Sequence, residues 1–458
     1  MKKNIKIIVC FLLCFVMTAC NGKEEDKKEQ SNEVTELVLD DKQSSMAMQF
    51  VKDLTQRRYD KLQKEYSYNE QMSQAVQEKS FQKQLDGYND SLGALLEAEQ
   101  PYGQSYQGST IIMIPCRMEE QNTNIQLSLN EQGQIQGLFF KPYKSQKKAA
   151  KAPKGVRESE VDLQIADGKK LNGRLTTPVK GDSFPLVILL AGSGANDMDE
   201  TIYDNKPLQD IAWGLAKQGI ASYRYDKRTY TYPESFTLKD TVEQEVIADA
   251  VAACNQMKQQ TQIDGKKIYI LGHSLSGYLI PRIAAKTDSC AGYIMMAAPA
   301  RALDELLIEQ VTYLAKLDGN VTKEEQAAIE QYKQDQQDLR RIDELSDAKM
   351  FFGGMSKAYM KDLLRYDAVQ QAADIKAPVL CAQGLRDYQV TDKDQAIWRK
   401  HFEKQKNWTF TSYPKATHLM IDGEGTPSNE EYKTKGHVNQ RFIDDIVKFI
   451  TKLIYSKN

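Results

Sequence analysis

The sequence predicts an α/β protein: a mostly parallel sheet covered by helices and carrying a helical cap insertion, preceded by a small α+β domain. Three observations carry this. Over residues 156–458, short apolar runs (F-P-L-V-I-L-L-A-G, I-A-S-Y-R-Y-D, K-I-Y-I-L-G, G-Y-I-M-M-A-A) alternate with amphipathic helical patterns, and strands that are apolar throughout belong to a parallel sheet covered on both faces. The alternation breaks over residues 301–372, which are charged and helical in pattern, before P-V-L-C-A-Q-G resumes the sheet. An insertion of that size predicts a cap over the strands' C-terminal edge, where open α/β sheets bind ligands. Residues 44–143 show helical spacing first (Met46, Phe50, Val51, Leu54), then short alternating strands between Asn and Gly signals, the order of an α+β domain.

The remaining segments follow from composition. Residues 1–19 join a basic start, M-K-K-N-I-K, to an apolar run too short to cross a bilayer, the pattern of a signal peptide. Ala19 directly before Cys20 resembles a bacterial lipobox. That resemblance implies cleavage before Cys20, a diacylglyceryl thioether on its sulfur, and an exported protein held by lipid on the outer face of the cell membrane. Residues 20–43 lack apolar periodicity and read as a solvated tether, and the Lys/Ala/Pro-rich residues 144–155 read as a linker. Within 156–458, V-D-L-Q-I-A, D-G and K-L-N-G-R-L-T-T-P read as one antiparallel hairpin. With 61 basic and 63 acidic residues there is no electrostatic case for nucleic acid. Without residues 1–19 the balance is 58 against 63, a net −5 that bears on solubility alone. Cys116, Cys254, Cys290 and Cys381 lack metal-ligand spacing and are expected as buried free thiols. No dinucleotide fingerprint or phosphate loop occurs, so neither cofactor nor metal is expected.

The chemistry concentrates at G-H-S-L-S-G (residues 272–277), between the strand K-I-Y-I-L and an apolar helix. A serine on a tight strand-to-helix turn projects its hydroxyl from the sheet edge toward a base, which makes Ser274 the candidate nucleophile. Ser276 stands where such turns usually have glycine, and Gly277 follows. Of four histidines, His273 lies inside the turn and is expected to point away from the Ser274 hydroxyl. His401 falls in a helical pattern and His437 opens the C-terminal helix. His418, in A-T-H-L-M after the strand W-T-F-T-S-Y, remains as the general base. Asp387, just past P-V-L-C-A-Q-G, is the candidate orienting acid, with Asp392 and Asp394 as rivals that fit helix capping equally. The oxyanion needs two backbone donors. Leu275 supplies one, and A-G-S-G-A-N-D (191–197) offers Ser193, with Gly194 as rival.

These residues, in the order Ser274, Asp387, His418, resemble the α/β-hydrolase family that includes serine aminopeptidases, lysophospholipase-like enzymes and bacterial carboxylesterases. Relatives carry G-S-G-P-x-D-R-D-E where this chain has G-S-G-A-N-D-M-D-E, and R-Y-D-K-R-G-x-G where it has R-Y-D-K-R-T-Y-T (224–231). Asp226 and Arg228 are expected as a structural ion pair. The first domain is similar in pattern to the nuclear-transport-factor-like domains that precede some exported hydrolases. The resemblance implies a serine hydrolase with a small-molecule ester or acyl substrate. An aminopeptidase or thioesterase would use the same triad, and D-E-L-L-I-E-Q (304–310) offers carboxylates that could clamp an amine. Leu306, Leu307, Val311 and Leu314 are placed either to face an acyl chain or to pack on the sheet. A non-catalytic binding lipoprotein would show a broken triad.

Overall fold

The computed structural model describes residues 35–455 apart from 107–108, 120–121, 144–149 and 288–289. The signal segment, Cys20 and most of the tether lie outside the described residues, as does half of the linker. The chain divides between Ala150 and Lys151 into two compact units.

In the first unit, the short strand Thr35–Leu37 and then four helices from Asp41–Thr55 to Lys79–Leu92 precede the remaining strands of an antiparallel sheet, the longest being Ser109–Met118, Thr123–Leu129 and Ile135–Pro142. The first helix begins on a capping box, with Asp40 accepting from the Gln43 N–H and Gln43 reaching back. Its apolar stripe (Ala47, Phe50, Val51, Leu54) packs on Ile112, Ile114, Ile125 and Leu127 of the sheet.

The second unit is built on an eight-stranded sheet. Its strands are β1 (Val156–Glu160), β2 (Gly173–Pro178), β3 (Phe184–Leu190), β4 (Ala221–Tyr225), β5 (Ile263–His273), β6 (Gly292–Met296), β7 (Val379–Gly384) and β8 (Trp408–Tyr413). The spatial order is β1-β2-β4-β3-β5-β6-β7-β8. β2 runs antiparallel to β1 and β4, and every other pairing is parallel. Alternate strand residues feed two helical layers. Leu186, Ile188, Ile268 and Ile270 pack with helix Ala248–Met257 and with the cap, whereas Val187, Leu189 and Leu271 pack with helices Pro207–Lys217 and Gln440–Tyr455. These central strands are buried on both faces, which is why they read as continuous apolar runs.

Two details differ from the expectation. The expected hairpin is split: Leu163–Gln164 pairs with Lys170–Leu171 around one tight turn, while β2 pairs with the unpredicted β1. Gly173 permits the crossing, because a Cβ there would sit 2.3 Å from the Val161 carbonyl oxygen. The cap is not wholly helical either. Helices Leu303–Ala315, Lys323–Leu339 and Lys357–Leu364 enclose a two-residue hairpin, Met350–Phe351 with Met355–Ser356. Its turn carries Phe352 at φ 48° and is tied down by the buried Asp335, which accepts the Phe352 N–H at 2.7 Å.

Candidate active site

β5 ends at His273, and Ser274 turns the chain into helix Leu275–Tyr278 with φ 51° and ψ −116°. A non-glycine residue held there costs about 1–3 kcal/mol and persists only where its surroundings dictate it. Here the surroundings are specific. A Cβ on Gly272 would lie 2.5 Å from the Ser276 carbonyl oxygen, and one on Gly277 would lie 2.8 Å from the Ala298 Cβ. Ser276 fits because its buried hydroxyl donates to the Ala191 carbonyl at 2.5 Å.

His418 follows β8, and its Nδ1–H donates to Asp387 Oδ2 at 2.7 Å, with both side chains buried. Asp387 is itself fixed. Its Oδ1 accepts the N–H groups of Gln389 and Val390 at 2.8 and 2.9 Å, and Gln383 reaches Oδ2 at 3.2 Å. A proton on Nδ1 leaves the His418 Nε2 lone pair free to act as a base. The rivals for the acid are placed elsewhere. Asp394 is fully buried against the Arg301 guanidinium and the N–H groups of Ala300 and Arg301, anchoring the start of the cap, and Asp392 opens helix Asp392–Phe402. His401 and His437 are exposed and bond to the Ile397 carbonyl and to Asp210.

The cavity at Ser274 is lined by Ser193, Leu275, Tyr278, Leu306, Leu307 and Tyr359 among others, and encloses about 50 Å³. Leu275 is the first residue of its helix, where an N–H has no acceptor one turn back. The Gly194 N–H donates to Glu245 Oε1 at 3.2 Å and the Gly192 N–H to Glu200 Oε1 at 2.7 Å, so neither is spare, whereas Ser193 between them lines the cavity. Leu306 and Leu307 face the cavity; Val311 belongs to the main core, and Leu314 packs with Tyr388, Leu419 and Tyr432.

Sequence reasoning missed the ionic frame behind these residues. His273 does not simply turn away from the site. Its ring lies 4.6 Å from that of His418, its Nδ1 meets both Glu200 oxygens at 2.8 and 2.9 Å, and its Nε2 donates to the His418 carbonyl at 3.0 Å. Two acceptors require two N–H groups, hence an imidazolium. Burial alone would lower the His273 pKa, but the Glu200 charge and hydrogen bond, with the His418 carbonyl, carry it above the ordinary histidine value. Burial likewise opposes ionisation of Glu200, and the His273 pairing and Gly192 N–H outweigh it and hold that carboxyl low. The two stretches that resemble the family interlock around this pair. Arg224 binds Asp199 at 2.7 Å, and Lys227 binds Glu245 and the Gly192 carbonyl at 2.6 Å each. Arg228 meets Asp249, and Asp226 accepts from Asn172 and the Met198 N–H. Glu245 also accepts from Tyr359 of the cap at 2.6 Å. The glutamate ending G-S-G-A-N-D-M-D-E was the available signal for the pairing with His273.

This strand order, with a serine at the β5 turn and a histidine–aspartate pair after β8 and β7, defines an α/β-hydrolase. Residues 205–425 match the family described as serine aminopeptidase, S33. The chain is 37% identical over 326 residues to esterase EstD of Thermotoga maritima, an alignment covering 71% of this chain and 76% of that protein. It therefore belongs to the α/β-hydrolase esterase family, and it is a hydrolase of the carboxylesterase type. Among solved structures, Est1E from Butyrivibrio proteoclasticus aligns with TM-score 0.43 and 18% identity, over 65% of this chain and 99% of that one. An esterase from Pyrobaculum calidifontis aligns with TM-score 0.42 and 14% identity, over 65% and 86%.

Proposed function

We propose that the protein hydrolyses short-chain carboxylic esters with Ser274 as nucleophile, His418 as general base and Asp387 as its orienting acid. The observation that carries this is the buried His418–Asp387 hydrogen bond, whose Asp387 is held by the N–H groups of Gln389 and Val390, two residues of the cavity that the strained Ser274 lines. His418 takes the Ser274 proton as Oγ attacks the ester carbonyl. The N–H groups of Leu275 and Ser193 receive the developing oxyanion. The protonated His418 then gives its proton to the departing alkoxide, leaving an acyl-enzyme. Water enters, loses a proton to His418 and releases the acid. A space of about 50 Å³, where one water needs roughly 10–15 Å³, suits an acyl group of a few carbons against a lining that includes Leu306 and Leu307.

The ester reading is favoured over an aminopeptidase by the charges of the cap. Arg301, paired with Asp394 and Glu309, is the charged side chain of the cavity lining, and among the described residues that lining includes no carboxylate to hold a substrate ammonium. Of the three carboxylates of D-E-L-L-I-E-Q, Asp304 accepts from Gln336 and Glu309 pairs with Arg301 and Lys393, and neither these two nor Glu305 lines the Ser274 cavity. We read the lipobox as an export and anchoring signal at Cys20, and the first unit as a nuclear-transport-factor-like domain that spaces the hydrolase from the membrane.

The test is labelling by a fluorophosphonate probe together with kcat/KM for p-nitrophenyl acetate, butyrate and octanoate against aminoacyl anilides. Labelling and ester turnover that vanish in Ser274→Ala, and fall with acyl length, are expected. Anilide turnover exceeding ester turnover would favour the peptidase branch. For the anchor, wild-type protein should partition with membranes and Cys20→Ala should not; unmodified wild-type protein free in the medium would end that part of the reading.

A further inference from the structure

A second pair of reactive side chains lies away from the active site. Cys254 sits on helix Ala248–Met257, and Cys290 sits in the turn that enters β6, its N–H donating to the Thr287 carbonyl at 2.9 Å. Both are buried in the main core, and their sulfurs are 3.1 Å apart. A covalent S–S bond is about 2.05 Å long, so roughly 1 Å of sulfur movement separates this contact from a bridge. The other two cysteines among the described residues are arranged differently. Cys116 belongs to the first unit, where its thiol donates to the Ile114 carbonyl, and Cys381 is buried on β7.

We propose that Cys254 and Cys290 become a disulfide when the chain folds in an oxidising compartment. They stand 36 positions apart in sequence, and the segment between them includes all of β5, Ser274 and the helices that follow it. The bridge would therefore close a loop around the nucleophile turn and tie helix Ala248–Met257 to the entry of β6. The thiols are oxidised by exchange with a disulfide-bearing oxidant, either a small-molecule disulfide or a dithiol oxidoreductase. One of the two cysteines, as its thiolate, attacks one sulfur of that oxidant and expels the other as a thiol, giving a mixed disulfide. The second cysteine then loses its proton, attacks the first cysteine's sulfur and displaces the remaining sulfur of the oxidant. Two protein thiols are oxidised, one external disulfide is reduced to two thiols, and the two protons end on those thiols. Because both sulfurs are buried in the folded chain, exchange takes place before the helix packs. The proposed export supplies such a compartment; the geometry of the pair does not depend on it.

The experiment takes the full-length protein, reduced and unfolded, and refolds it in a glutathione/glutathione-disulfide buffer. Samples are quenched in acid, alkylated with N-ethylmaleimide in denaturant, and mapped by mass spectrometry. A Cys254–Cys290 linked peptide is expected, with Cys116 and Cys381 carrying the label. Reduction should lower the Tm by roughly 5–10 °C, the effect of opening a loop of this length in a domain of this size. The linkage should be lost in Cys254→Ser and in Cys290→Ser. Wild-type protein in which both residues are fully labelled, or in which either is linked to Cys116 or Cys381, would overturn the proposal. Ester turnover measured on the same refolded samples reports separately on the hydrolase reading, since the linkage is read without it.

Discussion

Replacing Glu200 is the sharpest probe of the frame behind the active site. In Glu200→Ala, the Gly192 N–H and the His273 Nδ1–H lose their acceptor together, and a buried imidazolium loses its counter-ion. Removing one member of a buried ion pair costs about 3–5 kcal/mol, which for a domain of this size corresponds to a Tm lower by roughly 6–20 °C. The same loss frees the His418 carbonyl and the segment that presents Ser193. A displacement of about 1 Å at either reduces kcat/KM by about 10²-fold. Glu200→Gln should behave differently. Its Oε1 can keep the Gly192 N–H and its Nε2 can donate to a neutral His273, whose Nε2–H stays on the His418 carbonyl. The pH dependence separates the two effects. The folded pKa of His273 lies above its ordinary 6.5, so its contribution is complete below that pH and is lost as pH rises through the folded value. That of Glu200 lies below its ordinary 4.5, so its contribution holds above that pH and is lost as pH falls through the folded value. Wild-type Tm should therefore fall on the alkaline side, and Glu200→Gln should lack that limb. Melting curves from pH 5 to 10 with p-nitrophenyl acetate kinetics provide the check. A Glu200→Ala variant with wild-type Tm and kcat/KM, or a Gln variant that keeps the alkaline limb, would refute the reasoning.

Three other substitutions follow from the same geometry. In Asp387→Asn, the N–H groups of Gln389 and Val390 hold the amide oxygen and turn its NH₂ toward His418; that moves the imidazole proton to Nε2 and should lower kcat by about 10⁴-fold with little change in KM, which ester kinetics would read directly. Gly192→Ala would bring a Cβ to 3.0 Å from Glu200 Oε1 and 3.2 Å from the Ser274 Cβ, so fluorophosphonate labelling should slow by roughly tenfold or more while the far-ultraviolet spectrum is unchanged. Arg224→Leu leaves Asp199 and Glu158 without their fully buried partner and should cost about 3–5 kcal/mol in chemical denaturation at pH 7.

What could be read in the chain was what has a local signal. The central strands announce themselves because burial on both faces demands continuous apolar runs, and the nucleophile turn because its backbone tolerates only small residues at Gly272, Ser276 and Gly277. The pairing of His418 with Asp387 came within reach because few histidines compete and the acid follows a recognisable strand. β1 carried no such signal: R-E-S-E is a charged edge strand, and edges are charged to discourage further pairing. The cap hairpin, two residues per strand, is too short for alternation to register and depends on Asp335, 17 residues before the N–H it accepts.

The ionic frame was illegible for a different reason. Its members are far apart in sequence, His273 and Glu200 by 73 residues and His273 and the His418 carbonyl by 145, and nothing local tells a glutamate which cation it will meet. The motif acids were visible as motifs, yet Asp199 goes to Arg224 and Glu200 to His273, while Lys227 crosses to Glu245. The same limit governs the cap. By composition, D-E-L-L-I-E-Q offers an amine clamp; in space none of its three acids lines the Ser274 cavity, whose lining takes Leu306 and Leu307 from the same segment. Tyr359 then joins the two halves of the problem, because it lines the Ser274 cavity and also donates to Glu245, which holds the Gly194 N–H. Burial and the neighbouring Glu245 charge push its phenol pKa well up, so it remains a donor throughout the working pH range. The cap is thus hydrogen-bonded through Glu245 to the loop that carries Ser193, and on the proposed mechanism acyl preference and oxyanion geometry would be set by one connected set of side chains.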